Sequence, residues 1–303
     1  MNKEFIIVRY GEIGLKAKKT RQLFEQALIK NIKTALATKV HIESLKKDHG
    51  RIYIQTSDNK QAVIILEHIF GIVSVSKAIK TYANHNDISQ TIIAFLKKTK
   101  NPFDTIALRV KRTGTHAFSS QDIAISVGAD ICNTFQCSVD LSHPKTEIFI
   151  EIRSEDAYIF FEKIAGPGGL PYGTQGVICA YIDSLDAIIA SWFLMCRGCS
   201  VIFLIAQTTL KEHVEDFLKS WYVNSYIYDF EERKDTYPQI TKISKTHHCL
   251  GVSVGVRFDK NIHKAIDEIL SIKQECNLPV FTPLIGLTSE KIKEIKERIG
   301  IHS

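Results

Sequence analysis

The chain has 303 residues, too long for one ordinary core and suited to two or three domains. Its 45% hydrophobic and 24% charged composition is globular, and no apolar run reaches the roughly 18 residues of a membrane span. The net charge of +6 is uneven: residues 1–175 hold 24 Lys and Arg against 17 Asp and Glu, and residues 176–303 hold 15 against 16. A basic front half joined to a neutral back half points to a polyanionic partner for the front, unless its lysines only solvate it. The seven cysteines form no tight framework, and Met1-Asn2-Lys3-Glu4-Phe5 runs straight into a strand pattern. A reducing cytoplasm without a signal peptide is the expectation.

Phe5-Ile6-Ile7-Val8 reads as a buried strand. Thr20 then caps a helix with Phe24, Leu28 and Ile32 on one face. Residues 40–45 and 51–56 read as strands joined at Lys47-Asp48-His49-Gly50, 60–69 as a helix and 73–78 as a strand. The order βαββαβ is ferredoxin-like. A second unit follows: a helix capped by Asp87 with Gln90, a strand over 105–111, a helix over 121–135, and strands over 148–152 and 158–161. Gly166-Pro167-Gly168-Gly169-Leu170-Pro171-Tyr172-Gly173 marks a boundary. Apolar runs at 177–182 and 201–205 then alternate with helices near 186–196 and 210–222. Elements at 249–254, 262–272, 280–281 and 289–298 continue the rhythm of a small doubly wound α/β domain.

Arg9, Lys16, Lys18, Lys19 and Arg21 crowd the first loop and helix start. Arg109 and Lys111 share one face of a strand, with Arg112 and the loop Gly114-Thr115-His116-Ala117-Phe118-Ser119-Ser120 directly after. Phosphate contacts from such side chains bind nucleic acid in a salt-dependent way.

Val8-Arg9-Tyr10-Gly11-Glu12-Ile13-Gly14-Leu15-Lys16, with Arg21, Phe24-Glu25 and Asn31-Ile32, resembles the opening of the tRNA 4-thiouridine synthetase (tRNA sulfurtransferase) family. Val110-Lys111-Arg112, Phe118-Ser119, Val127-Gly128, Val139-Asp140-Leu141 and Glu151-Ile152-Arg153 are similar to its THUMP domain. The Gly166–Gly176 segment resembles its bridge, and Leu194-Met195, Arg197-Gly198, Leu278-Pro279-Val280 and Pro283-Leu284-Ile285-Gly286 its PP-loop framework. The resemblance implies a ferredoxin-like domain at 1–80, a THUMP domain at 81–165, a bridge at 166–176 and a truncated PP-loop ATP-pyrophosphatase-like domain at 177–303. It implies tRNA as partner, with Arg9, Lys16, Lys18, Lys19, Arg21, Arg109, Lys111, Arg112, Phe118 and Ser119 on the RNA.

The family's Ser-Gly-Gly-x-Asp-Ser loop closes backbone N–H groups around pyrophosphate, which a Cβ disfavours. Here the junction reads Cys179-Ala180-Tyr181-Ile182-Asp183-Ser184-Leu185-Asp186-Ala187. Both glycines are replaced in either register, and the ungapped register on Trp192 keeps Asp186 in the acidic position. Residues 226–246 show no counterpart of the family's Arg- and Met-bearing helix, and 251–257 only a reduced Thr-Gly-Glu-Ser-Leu-Gly-Gln segment. Neither the family's downstream cysteine nor a rhodanese domain is expected in this chain. Cys196-Arg197-Gly198-Cys199 and His247-His248-Cys249 are read as incidental thiols and a loop, with no metal site.

Three readings follow: a tRNA-binding relative without ATP-dependent adenylation; an active ATP-dependent tRNA sulfurtransferase serving 4-thiouridine and thiamine thiazole synthesis; and a scaffold that dimerises or pairs with a full-length sulfurtransferase. The first expects no cofactor and no catalytic group, Asp183 and Asp186 being the weak candidates. The second expects ATP and Mg²⁺, with Tyr181, Ile182, Ser184, Phe203 and Gly255 about the nucleotide. Residues 1–175 are expected to retain tRNA as a fragment, and the apolar strands of the back domain to keep their core.

Overall fold

The computed structural model describes residues 3–48, 50–99, 104–229, 236–258 and 262–301. The chain folds as two compact, interleaved units. The first gathers Met1–Arg9, Leu36–Glu67 and Ser74–Ala165; the second gathers Tyr10–Ala35, His68–Val73 and Gly166–Ser303.

In chain order the front elements are β1 (Lys3–Arg9), α1 (Lys18–Leu36), β2 (Ile42–Asp48), β3 (Arg51–Thr56), α2 (Asn59–Leu66) and β4 (Ser74–Tyr82). There follow α3 (His85–Thr99), β5 (Thr105–Thr113), α4 (Ser120–Phe135), β6 (Ser138–Val139), β7 (Thr146–Arg153), β8 (Asp156–Phe160) and β9 (Ile164–Ala165). The antiparallel order β2-β3-β1-β4 is ferredoxin-like, and the same sheet continues through β8, β7, β5 and β6, with β9 on β4. On one face Ile106, Leu108, Ile148, Ile150 and Ile152 pack with Ile88, Ile92, Ile123, Val127 and Ile131 of α3 and α4. The period-2 alternation sends Ile7, Tyr53, Ala78, Tyr158 and Phe160 to the other face as a second cluster.

Several sequence expectations shift here. α1 starts at Lys18, ahead of Thr20, and α3 starts at His85, ahead of Asp87. Asn84 is the cap: its side-chain oxygen accepts from Asp87 N–H at 2.9 Å, while its amide donates to the Asp87 carboxylate at 2.6 Å. The turn residue His49 lies outside the described residues.

The second unit holds β10 (Val177–Ile182), α5 (Leu185–Cys196), β11 (Ser200–Ile205), α6 (Lys211–Ser220), β12 (Ile227–Asp229) and α7 (Thr236–Thr246). It ends with β13 (Val252–Ser253), α8 (Ile262–Cys276), β14 (Val280–Phe281) and α9 (Ser289–Arg298). Its parallel sheet runs β12-β11-β10-β13-β14. Ile188, Trp192, Phe217, Trp221, Ile292 and Ile295 cover one face, and Ile240, Ile243, Ala265 and Ile272 the other. This is the doubly wound arrangement, with a complete core. Within 226–246, where no counterpart of the family's Arg- and Met-bearing helix was expected, β12 and α7 form, and the expected strand over 249–254 shrinks to β13.

Two earlier pieces of chain complete this unit. Asn31 on α1 donates its side-chain amide to the Tyr172 carbonyl at 3.1 Å, and Phe70 stacks on Trp221 at 5.0 Å. Gly71 N–H bonds the Gly168 carbonyl at 2.8 Å. Gly169, at φ +71, lies so close to the Cys196 carbonyl that any Cβ there would collide with it. A break at residue 175 therefore falls inside the second unit.

Candidate functional site

In an open α/β sheet, ligands sit beyond the carboxyl ends of the strands where the order reverses. Here that place lies between β10 and β13. The link from β10 to α5 is Asp183-Ser184 alone. Ser184 is extended at the N-cap, but its hydroxyl donates to the Asp183 carboxylate at 3.0 Å and caps no helix N–H. Ala187 N–H turns back to the Ser184 carbonyl at 3.2 Å.

The helix start is covered by protein. A Cβ on Gly255 would come 2.7 Å from Ala187 Cα, so this backbone lies directly on the first turn of α5. Beside it, Arg257 Nη1 stands 3.2 Å from the Asp186 carboxylate, and Nη2 donates to Ser289 Oγ at 2.7 Å. An anion at the positive end of a helix dipole needs open N–H groups. At α5 a carboxylate from the helix itself, neutralised by an arginine, stands there.

Two cavities flank this point. One of about 350 Å³ is lined by Tyr181, Asp183, Gln207, Tyr237, Lys264 and Glu268 among others. A smaller one of about 180 Å³ is lined by Asp183, Ser184, Gly255, Arg257, Lys264 and Glu268 among others. Burial and the charge of Asp183 push the Glu268 carboxyl above its ordinary range. Of the residues expected about a nucleotide, Tyr181, Ser184 and Gly255 line these cavities, as does the weak catalytic candidate Asp183. Ile182 and Phe203 do not: both are fully buried in the apolar core shared with Ile188 and Phe217. These cavities present two carboxylates, Asp183 and Glu268, and two cations, Lys264 and Arg257, beside the covered helix end.

The basic residues divide between the units. Lys16, Lys18 and Lys19 are exposed and Arg21 half-buried, all in the second unit. Lys111 and Arg112 are exposed at the end of β5 in the first. Arg112 Nη1 donates to the Gly114 carbonyl at 3.1 Å and contacts His116 Nδ1 at 3.2 Å, which fixes the loop that follows. Arg109 is engaged: its Nε bonds Glu147 at 2.9 Å and its Nη2 the Leu141 carbonyl at 2.8 Å. Phe118 is half-buried beside His116 and the core, at 5.2 Å between rings. Ser119 caps α4 in a reciprocal pair with Asp122.

Arg9 is the clear correction. It is 8% exposed, with Nε on Glu151 at 3.0 Å and Nη1 on Ser76 at 2.9 Å. Arg51 and Arg153 surround the same carboxylate, at 3.1 and 3.6 Å. Burial pushes Glu151 upward, but Arg9 and Arg51 outweigh it and hold the carboxyl below its usual range. Arg9 is thus a buried structural cation. The sequence reading missed Lys163, whose ammonium sits 3.8 Å above the Phe149 ring. Burial, Arg9 and Lys111 lower its pKa.

Cys196 and Cys199 are not a reactive pair of thiolates: burial pushes Cys196 up to about 12 and raises Cys199 as well. No helix among the described residues is long and apolar enough to cross a membrane.

Residues 5–76 match the ThiI ferredoxin-like domain, and residues 82–162 the THUMP domain. A probable tRNA sulfurtransferase of Methanobrevibacter smithii is 34% identical, over 99% of this chain and 87% of the relative. One from Methanocaldococcus jannaschii is 30% identical, over 100% and 89%. The first match spans 337 aligned positions, more than the chain's 303 residues, so that relative holds residues inside the matched region that this chain lacks. A crystal structure of a Pyrococcus horikoshii protein superposes with TM-score 0.85 at 33% identity, covering 99% of this chain and all of the other. That of a 4-thiouridine synthetase, in complex with RNA and bound ATP, superposes with TM-score 0.80 at 24% identity, covering 99% and 85%, and shares the fold. On the full-length matches at 30% identity and above, the chain belongs to the tRNA sulfurtransferase family.

Proposed function

We propose that this chain binds tRNA and does not carry out ATP-dependent adenylation of it. The tRNA reading rests on the THUMP match, the relatives named tRNA sulfurtransferase and the exposed Lys111 and Arg112. One observation carries the loss of adenylation: Gly255 and the Arg257–Asp186 pair cover the α5 N-terminus, where a pyrophosphate would need open N–H groups. The back domain, with its core intact, holds bound tRNA in place. Calorimetric titration of the full chain with ATP·Mg²⁺ tests this. Affinity weaker than about 100 µM, or about −5.5 kcal/mol, is expected, and tighter binding would overturn the reading.

The cavities beside Asp183 favour a second reading, an active sulfurtransferase with a divergent loop. In a strain lacking 4-thiouridine, its return on adding this protein alone, with ATP and a sulfur donor, would establish that reading.

A further inference from the structure

The Cys137 thiol donates to Cys132 Sγ at 3.5 Å, and both side chains are half-buried, so a small reagent can reach them. The helix end creates this contact. α4 stops at Phe135, and Gln136 follows in the left-handed region at φ +53. A left-handed residue there reverses the chain and sets the next residue against the last turn of the helix, a contact that two apolar side chains usually make. In this protein both members are thiols.

The two sulfurs are not equivalent. Burial and the bond to Cys132 push the Cys137 thiol up to about 11, so the shared proton stays on Cys137. Cys132 accepts that hydrogen bond from the thiol that would hold its proton longer, which leaves Cys132 as the attacking sulfur of the pair. Cys196 has no such donor and is pushed by burial up to about 12.

We propose that Cys132 and Cys137 form a reversible dithiol–disulfide site whose oxidant is a low-molecular-weight disulfide. Cys132 thiolate attacks one sulfur of that disulfide; a mixed disulfide forms and one small thiolate leaves. Cys137 gives its proton to solvent and attacks Cys132 Sγ, forming the internal bond and expelling the second small thiolate. The protein dithiol is oxidised, and the small disulfide is reduced to two thiols. The bond would tie the end of α4 to β6, whose Ser138 and Val139 pair with Thr105 and Ile106. Just beyond, the Leu141 carbonyl holds Arg109. The site requires neither RNA nor nucleotide, so it stands apart from the proposed function.

The test uses the full native chain, treated with glutathione disulfide, alkylated and mapped by mass spectrometry. An internal 132–137 crosslink is expected, returning to two alkylatable thiols with excess glutathione. Cys137→Ser should leave a lasting mixed disulfide on Cys132, whereas Cys132→Ser should slow modification of Cys137 by about tenfold. Two free thiols after treatment, or mixed disulfides on both cysteines without the internal bond, would overturn the proposal.

Discussion

Arg51 on β3 and Glu151 on β7 meet at 3.1 Å although three strands, β1, β4 and β8, lie between theirs in the sheet. Neighbouring strands are about 4.8 Å apart, so a flat sheet would hold these two strands roughly 19 Å apart. The sheet of the first unit must curl, and its concave face encloses Tyr53, Tyr158 and Phe160 around the ion cluster. Glu151 binds Arg9 and Arg51 at once.

Glu151→Ala should therefore lower the unfolding free energy by about 3–5 kcal/mol, because it leaves several arginines crowded and uncompensated. Urea melts of the purified chain measure this. Since the folded-state pKa of Glu151 is depressed, its contribution is present above the ordinary carboxylate range and lost as pH falls through the folded value. The stability gap between wild type and Glu151→Gln should accordingly hold constant above the ordinary carboxylate range and narrow only as pH falls below it.

Lys111→Ala combined with Arg112→Ala should weaken tRNA retention uniformly across tRNAs and flatten the salt dependence by about two phosphate contacts. Both side chains are exposed, so the melting curve should move by no more than about 0.5 kcal/mol. Filter binding across a salt series provides the readout; an unchanged slope would remove these two residues from the interface.

Gly255→Ala should destabilise the chain by about 1–3 kcal/mol, because the new methyl group has backbone rather than a movable side chain in its way. A denaturation midpoint equal to wild type would mean that this loop does not sit on α5.

Truncation after residue 175 should give a chain without a sharp cooperative melt. His68 and Phe70 lose Trp221 and Glu12 loses Arg197, while the contacts with Gly166, Gly168 and Tyr172 remain. Thermal circular dichroism of the fragment beside the full chain decides it.

Much of this architecture was legible in the sequence. The runs that became β10 and β11 are almost wholly apolar because these inner parallel strands are covered on both faces. β12 was not legible, since three residues with one half-exposed tyrosine make no period. The N-terminus of α3 was misread because Asn84 and Asp87 cap reciprocally, and a carboxylate at the third helical position resembles a cap. The burial of Arg9 depends on Glu151, 142 residues away, and no local pattern reports such a pair. The closed helix end could be expected from the missing glycines, but the Arg257 that fills it could not. The Cys132–Cys137 contact needed the left-handed Gln136, a conformation glutamine rarely adopts.

The interleaving of the two units also governs when each can form. Asn31 waits for its acceptor Tyr172, 141 residues later. At synthesis rates of about 5–20 residues per second, that delay is roughly 7–28 s. During it Asn31 on α1 lacks this acceptor, although Tyr10 already bonds Glu25 on the same helix. The order of synthesis thus opposes domain-by-domain folding. A nascent chain of this protein should need a chaperone's protection until the bridge at Gly168 and Gly169 has left the ribosome.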